Sequence, residues 1–325
     1  MIFAARLAAA TLTVLAATSA QAQSQPAAQY PDHPVKVILG LAPGGGADIM
    51  TRWYVDKLRE VSGGTFFVEN KVGASGNIAA DALAKSKPDG YTLMFAASAS
   101  QGGNRYLYKN LPFDNVRDIE PVTTFAQLGF VLLINADTPV SNVAELTKYL
   151  QAKNGKATYG WAVTSSLASS VLYVNAAKIP AVQVGYKTTG AAVSDLMAGQ
   201  IDFTFADIVY ATGLAKQGRV KMIANSADRR ASSAPTLPTM AESGLEDATQ
   251  TPWWAVWGPR GMPPEVVAKL AKWINQITAM PETQEFFITQ GADPLPGTPE
   301  GTEKKLLEAM KTWQRVVSLA KIEPQ

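Results

Sequence analysis

The sequence contains no cysteine and a single histidine among its 325 residues. Without cysteine the chain can have no disulfide framework, no thiolate metal site and no lipoprotein anchor on a cysteine. His33 precedes the first predicted strand, where a solvated edge residue is expected. A Ser-His-Asp triad and a histidine-based metal site are therefore not expected, and we expect neither a metal nor a cofactor.

Net charge is also small. The chain has 29 lysines and arginines against 27 aspartates and glutamates, a formal charge of +2, and the basic residues are scattered rather than clustered. Nucleic-acid binding needs a concentrated basic surface, so no nucleic-acid partner is expected.

Long apolar runs are missing except near the start, where residues 7–17 are almost entirely apolar. This run follows Arg6 and precedes Ala20-Gln21-Ala22, the small-x-small pattern that signal peptidase reads. It is shorter than the roughly 20 residues that a membrane-spanning helix needs. We therefore predict a signal peptide over residues 1–22, cleaved after about Ala22, and a periplasmic protein.

Roughly 300 mature residues are more than one hydrophobic core usually covers, so two domains are expected. Short apolar runs alternate with helical patterns, which predicts βαβ units and an α/β fold with two domains of mostly parallel sheet. We assign residues 23–127 and 253–325 to domain 1 and residues 128–252 to domain 2. Two crossover segments, near residues 125–130 and 248–253, join them around a ligand cleft.

A glycine-rich turn lies between the first predicted strand and helix, with the sequence Pro43-Gly44-Gly45-Gly46-Ala47-Asp48. Successive backbone N–H groups and the helix dipole behind them favour an anion. A nucleotide phosphate is not indicated, because neither GxxxxGK[ST] nor GxGxxG is present. A turn without a ligand remains the alternative, and Asp48 also fits a helix-capping role.

Four further turns carry small or hydroxyl residues and lead into predicted helices. They are Ala74-Ser75-Gly76, Ser98-Ala99-Ser100, Thr164-Ser165-Ser166 and Thr188-Thr189-Gly190. The carboxyl ends of parallel strands face one crevice, so we expect these turns to converge on one site. Any single hydroxyl could instead be only a helix cap. Trp161, beside the third turn, is expected to contact the ligand.

Several longer motifs resemble the Bug receptors, the extracytoplasmic binding components of tripartite tricarboxylate transporters. The resemblance rests on the glycine-rich turn, Gly73-Ala74-Ser75-Gly76-Asn77-Ile78, Lys87-Pro88-Asp89-Gly90-Tyr91-Thr92-Leu93, Gly199-Gln200-Ile201-Asp202 and Pro235-Thr236-Leu237-Pro238-Thr239-Met240-Ala241-Glu242-Ser243-Gly244. It implies a type II periplasmic-binding (Venus flytrap) fold and partnership with a large and a small integral membrane subunit.

From the turns and the resemblance together, eighteen residues are predicted to bind ligand. They are Pro43, Gly44, Gly45, Gly46, Ala47, Asp48, Ser98, Ala99, Ser100, Trp161, Thr164, Ser165, Ser166, Lys187, Thr188, Thr189, Gly190 and Asp207. Three departures from the family pattern lie at this predicted pocket. Residues 160–166 are bulkier and more apolar, Thr188 and Thr189 replace two common glycines, and Asp207 stands one place later than the usual aspartate.

The sequence thus predicts a monomeric periplasmic solute-binding protein without enzymatic activity. Its ligand is expected to be a small mono- or dicarboxylate, with aromatic acids included because of Trp161. Two alternatives stay open: a periplasmic sensor subunit that signals to a membrane kinase, and a hydrolase that uses a loop serine with Lys187 as base.

Overall fold

The computed structural model describes residues 30–324. The predicted signal peptide and the polar residues 23–29 lie outside the described residues. The elements in chain order are β1 (Val35–Leu39), α1 (Gly46–Ser62), β2 (Phe66–Asn70), α2 (Asn77–Ala84), β3 (Thr92–Ala97), α3 (Ser98–Leu107), β4 (Ile119–Leu128), β5 (Phe130–Asn135), α4 (Val143–Gln151), β6 (Ala157–Trp161), α5 (Thr164–Ala176), β7 (Ala181–Gly185), α6 (Thr189–Met197), β8 (Phe203–Asp207), α7 (Ile208–Lys216), β9 (Val220–Asn225), β10 (Trp253–Pro259), α8 (Pro264–Ala279), α9 (Pro281–Thr289), β11 (Ala292–Pro294) and α10 (Pro299–Ala320).

The strands form two sheets. The first has the order β11-β4-β10-β3-β1-β2 and the second the order β7-β6-β8-β5-β9. We call each sheet with its covering helices a lobe. The predicted two-domain α/β fold class is confirmed, and both sheets prove to be mixed rather than mostly parallel.

One internal strand in each sheet, together with the short edge strand β11 that pairs antiparallel with β4, explains the mixture. β10 pairs antiparallel with β3 and β4, and β5 pairs antiparallel with β8 and β9. Each is the strand through which the chain enters a lobe from the other lobe. Trp253 starts β10 near Ala97, at the carboxyl end of β3, and Phe130 starts β5 opposite Asp207, at the carboxyl end of β8. A strand that enters at this edge has to run against its neighbours.

Both faces of the central strands are buried, and successive side chains of one strand pack into two different apolar cores. In β3, Leu93 and Phe95 pack in one apolar cluster of the first lobe, while Met94 and Ala96 pack in the other. Strands covered on both sides by helices read as continuous apolar runs, which is why the sequence revealed them.

Helix α1 shows the matching helical pattern. Met50, Tyr54 and Leu58 recur every four residues and are at most 3% exposed, so one stripe faces the core. The helix ends where Gly63 takes a left-handed conformation at φ 71° and donates its N–H to Arg59 O at 3.0 Å. A glycine adopts this conformation without the cost that a Cβ adds.

Residues 98–107 form α3, although two glycines made residues 98–103 resemble a loop in sequence. These glycines allow close packing against α10. A Cβ on Gly102 would lie 3.2 Å from the Cβ of Ala309, and one on Gly103 would lie 2.8 Å from the Trp313 ring. The glycines therefore serve a helix contact, which local pattern does not reveal.

Substituting Gly103→Ala should lower the free energy of unfolding by about 1–3 kcal/mol, because the new methyl overpacks against Trp313. Gly213→Ala is the matched control, since Gly213 is also helical and its Cβ would meet no atom within 4 Å. That variant should gain up to about 1 kcal/mol from helix propensity. Urea unfolding of both variants measures the contrast, and equal effects would contradict the packing role.

The chain passes between the lobes at two adjacent segments. Gly129 separates β4 from β5, and residues 249–252 lead back into β10. The Leu128 N–H donates to Pro252 O at 2.9 Å, which holds the two segments together. Helix α10 also contacts both lobes, because Met310 packs in a first-lobe cluster and Trp313 packs with the second sheet.

Candidate functional site

A cavity of about 890 Å³ lies where the carboxyl ends of strands from both lobes meet. Gly40 and Ala97 contribute from the ends of β1 and β3, and Trp161 and Asp207 from the ends of β6 and β8. The size falls within the range of roughly 300–1,000 Å³ that is usual for small-molecule sites.

The first-lobe wall is the N-terminus of α3. Ala97 is the N-cap residue and provides no side-chain acceptor, so the first-turn amides of α3 have no helical or capping partner. The Ser98 hydroxyl accepts from Trp253 N–H at 3.2 Å, and the Ser100 hydroxyl donates to Ala97 O at 3.0 Å. Ala99 and Ser100 line the cavity, whereas Ser98 is buried beside it. The free hydrogen-bond donors of this turn are therefore its backbone N–H groups.

The second-lobe wall is the N-terminus of α5, which is arranged in the same way. Val163 is the N-cap and its side chain cannot accept a hydrogen bond. The Ser166 hydroxyl is directed backwards, accepting from Val163 N–H at 3.3 Å and donating to Val163 O at 2.8 Å. Thr164 and Ser165 line the cavity, and Ser165 is 9% exposed. Ser166 is a structural residue, and the amides of Thr164 and Ser165 remain free.

Helix α7, whose N-cap also lines the cavity, differs because it is already capped. The Asp207 carboxylate accepts from Tyr210 N–H at 2.9 Å. Its negative charge makes this helix end unsuitable for an anion. Helix α2, whose N-cap Gly76 also lines the cavity, has no side-chain cap either, but the turn before it bonds the Asn77 N–H to Ala74 O. The starts of α3 and α5, one in each lobe, are thus the places in this cavity where free first-turn amides favour a negative group.

Most of the remaining wall is apolar. Aromatic and aliphatic side chains come from both lobes and from the crossover segments: Leu41, Met94, Phe95, Leu107, Leu128, Phe130, Leu167 and Trp254. The end of the chain adds Lys321, Ile322 and Glu323, after Lys321 turns it at φ 50° and Ile322 N–H bonds Val317 O at 3.0 Å. No arginine or histidine of the described residues lines the cavity.

The glycine-rich turn does not line this cavity, although its neighbours Gly40 and Leu41 do. Gly44, Gly45 and Gly46 are exposed on the rim. Asp48 is 3% exposed, and its carboxylate accepts from Gly44 N–H at 3.0 Å, from Arg52 Nε at 2.8 Å and from Asn70 Nδ2 at 2.9 Å. Asp48 therefore braces the turn from beneath and is neither the N-cap of α1, which is Gly45, nor open to a ligand.

The hydrogen bond from Arg52, helped by those from Gly44 and Asn70, lowers the pKa of Asp48 from its usual 3.8 to about 2. The stabilisation by this carboxylate is present above pH 3.8 and is lost as pH falls towards 2. At pH 7, the free energy of unfolding of Asp48→Asn should therefore be about 1–3 kcal/mol lower than that of the wild type. The difference should shrink between pH 4 and pH 2 in urea titrations.

Asp56→Asn is the control for this comparison, since Asp56 forms an exposed ion pair with Arg59 one turn along the same helix. Its effect should stay below about 1 kcal/mol at either pH. An Asp48→Asn difference that is unchanged at pH 2 would contradict the bracing role.

The turn at residues 187–190 is also away from the cavity wall. Lys187 and Thr188 are exposed, and the Thr188 hydroxyl caps α6 by accepting from Ala191 N–H at 3.2 Å. Thr189 and Gly190 begin α6 and do not line the cavity either. Pro43, Ala47 and these four residues thus remain predicted contacts that this conformation does not place at the wall.

Six of the eighteen predicted residues line the cavity: Ala99, Ser100, Trp161, Thr164, Ser165 and Asp207. Sequence reasoning missed Gln101, Gln183, Trp254 and the chain end. Among the clustered tryptophans, Trp254 lines the cavity, whereas Trp253 and Trp257 stack with ring centroids 6.0 Å apart in the core. Successive side chains of a strand point to opposite faces of the sheet, so the assignment of β10 as a strand would have placed Trp254 on the opposite face from Trp253 and Trp257.

A two-lobed fold with one cavity at the junction and a helix end from each lobe defines a solute-binding class of protein. Comparison with known proteins agrees. The model of the tripartite tricarboxylate transporter family receptor matches residues 50–322. Protein BugT of Bordetella pertussis is 28% identical over 311 residues, 95% of each chain.

Solved structures give the same result. Rpa4515 of R. palustris with adipate superposes with a TM-score of 0.79 and 26% identity, over 91% of this chain and 100% of that one. The periplasmic binding protein BugD superposes with a TM-score of 0.74 and 29% identity, over 91% of this chain and 100% of that one. MatC from Rhodopseudomonas palustris with bound malate superposes with a TM-score of 0.73 and 27% identity, over 89% of this chain and 100% of that one.

The chain belongs to the tripartite tricarboxylate transporter receptor family, as the resemblance of its motifs to the Bug receptors predicted. Within residues 30–324, every helix is too short or too polar to cross a bilayer.

Proposed function

We propose that this chain captures a small carboxylate in the periplasm and delivers it to the large and small membrane subunits of a tripartite transporter. One observation carries the proposal: the uncapped N-termini of α3 and α5, from different lobes, line one cavity. Adipate and malate in two related structures support a carboxylate of this size class.

The available donors are sufficient without an arginine. A hydrogen bond to a charged acceptor contributes about 1.5–3 kcal/mol, and a helix end about 0.3–1 kcal/mol. Three or four such bonds, less the cost of ordering the ligand, reach the roughly −8 kcal/mol of micromolar affinity.

We further propose that the lobes close about the paired crossover segments, with domain boundaries at residues 127/128 and 252/253. A carboxylate shared by α3 and α5 interacts with both lobes only when they are close, so it favours the closed state. Closure would also bring the exposed glycine-rich turn, residues 43–48, and the turn at residues 187–190 towards the ligand.

We infer that the ligand is released chemically unchanged. In this conformation Lys187, the base of the alternative hydrolase, is exposed and forms no hydrogen bond with a serine or threonine hydroxyl of residues 30–324. Asp207, a carboxylate on the wall, is occupied in capping α7.

Thr164→Pro tests the backbone donors directly, because proline removes one N–H and is well tolerated at the first position of a helix. Helices α8, α9 and α10 of this chain already begin with proline. Val163 has ψ 154°, which suits a residue before proline. Thr164→Pro should weaken carboxylate binding about tenfold or more.

Thr164→Ala is the matched control, since it removes the side chain and keeps the N–H. Binding of adipate, malate and benzoate is measured by thermal shift and then by calorimetry. Ligand binding to the native state raises the melting temperature, so wild type should show a rise with at least one acid. No rise with any of them, or equal losses in the two variants, would contradict the proposal.

Aromatic acids are the finer part of the proposal, and Trp161 supports it. Its ring lies on the cavity wall against Gly185, and its Nε1 is buried without a partner. Trp161→Ala should weaken benzoate more than adipate, by about fivefold or more, because ring stacking adds about 0.5–1.5 kcal/mol beyond area burial. Calorimetry with both acids measures the ratio, and equal losses would limit the ligand to aliphatic acids.

A further inference from the structure

Gln101 is a polar residue of the cavity wall to which the mechanism above gives no role. It is the fourth residue of α3 and is 2% exposed. Its Oε1 accepts a hydrogen bond from Asn115 Nδ2 at 3.0 Å, and Asn115 is itself 2% exposed. Asn115 does not line the cavity, so it holds the Gln101 amide from behind.

This contact decides which end of the Gln101 amide is free. With Oε1 bound to Asn115, Nε2 carries two N–H donors that have no protein acceptor within residues 30–324. Gln101 lines the cavity and Asn115 does not, and helical side chains lean towards the N-terminus of their helix, so Nε2 is expected on the side of the free first-turn amides of α3. A donor in so buried a position gains when a ligand supplies an acceptor.

The neighbouring hydroxyls do not supply that acceptor to Nε2. Ser98 Oγ is bonded to Trp253 N–H, and Ser100 Oγ donates to Ala97 O. The free backbone amides and the two N–H groups of Nε2 are all donors, and they outnumber the lone pairs that Ser100 Oγ still offers, so this end of the cavity favours an acceptor-only group. An ionised carboxylate has two oxygens and no proton to donate.

We propose that Gln101 is a specificity-determining residue that donates a hydrogen bond from Nε2 to the same ligand carboxylate that the α3 amides bind, and that Asn115 is its positioning residue. The inference rests on the proposed carboxylate-binding function. It predicts that the site selects an ionised carboxylate over the matching primary amide, whose NH2 would face these donors.

Gln101→Glu is the decisive variant, because it is isosteric and its Oε1 still accepts from Asn115. The second oxygen then places a negative charge where the donor was. The Kd of the probe should rise at least about thirtyfold, since a charge-assisted bond is replaced by repulsion. The probe is whichever of adipate, malate and benzoate raises the wild-type melting temperature most. Gln217→Glu, an exposed site beyond α7 with the same change of charge, should leave Kd within about twofold.

Asn115→Asp tests the positioning role without touching the cavity wall. A carboxylate at this position can only accept, so the Gln101 amide would reverse and present Oε1 to the ligand. The Kd should again rise by about tenfold or more. The side-chain amide signal of Gln101 in NMR, assigned by its loss in Gln101→Met, should shift when probe is added to wild type and not in Asn115→Asp. A merely structural pair would not give this difference.

The outcomes separate the two proposals. If wild type binds the probe and Gln101→Glu binds it within about twofold as well, the Gln101 assignment is wrong while the carboxylate function stands. If wild type binds none of the three acids, both fail. Should Gln101→Glu not fold, as judged by circular dichroism, the wild-type Gln101 amide signal decides: a shift at saturating probe supports the assignment and its absence overturns it.

Discussion

Two helix N-termini with free first-turn amides face one cavity, and the rest of the site depends on this arrangement. Four other helices in the described chain, α4, α6, α7 and α10, begin with an N-cap side chain that accepts from a first-turn N–H. At α3 and α5 the N-cap residues are Ala97 and Val163, which cannot accept a hydrogen bond. An N-cap oxygen there would compete with a ligand oxygen for the same donors. Without side-chain caps, α3 and α5 are less stable in the ligand-free protein than capped helices would be. Their first-turn N–H groups stay free to bind an anion.

The route of the chain explains why these helix ends share a cavity. Parallel βα units place the N-terminus of each helix at the carboxyl edge of its sheet. Because the chain crosses between lobes at this same edge, β5 and β10 enter antiparallel and the two edges face each other. The bond from Leu128 N–H to Pro252 O joins the crossover segments, and α10 packs on both lobes. The proposed closure would therefore have its hinge at a narrow junction beside the cavity.

The proposed recognition by backbone amides in an apolar cavity has consequences for selectivity. Amides cost less to desolvate than an arginine, and they are fixed by the helix, so little order is lost on binding. Lys321 adds one positive charge to the wall, which acts over a longer range, whereas the short directional amide donors require an oxygen at the right place. Asp207 and Glu323 on the wall disfavour additional negative charge, and the large aromatic and aliphatic surface suits an apolar ligand body.

Local pattern was enough to predict much of this protein. Buried strands appear as apolar runs, helices as repeats of four, and the turns that follow strands as small or hydroxyl residues. The α/β class followed from these features, and so did the turns at the starts of α3 and α5 that line the cavity. Local pattern could not show that α3 extends through Gly102 and Gly103, because the reason is the approach of α10, some two hundred residues away. It also could not show that Ser98, Ser166 and Asp48 are used internally, or that Asn115 donates a hydrogen bond to Gln101. The role of a side chain depends on which partners lie within hydrogen-bond distance of it, and only the tertiary structure decides that.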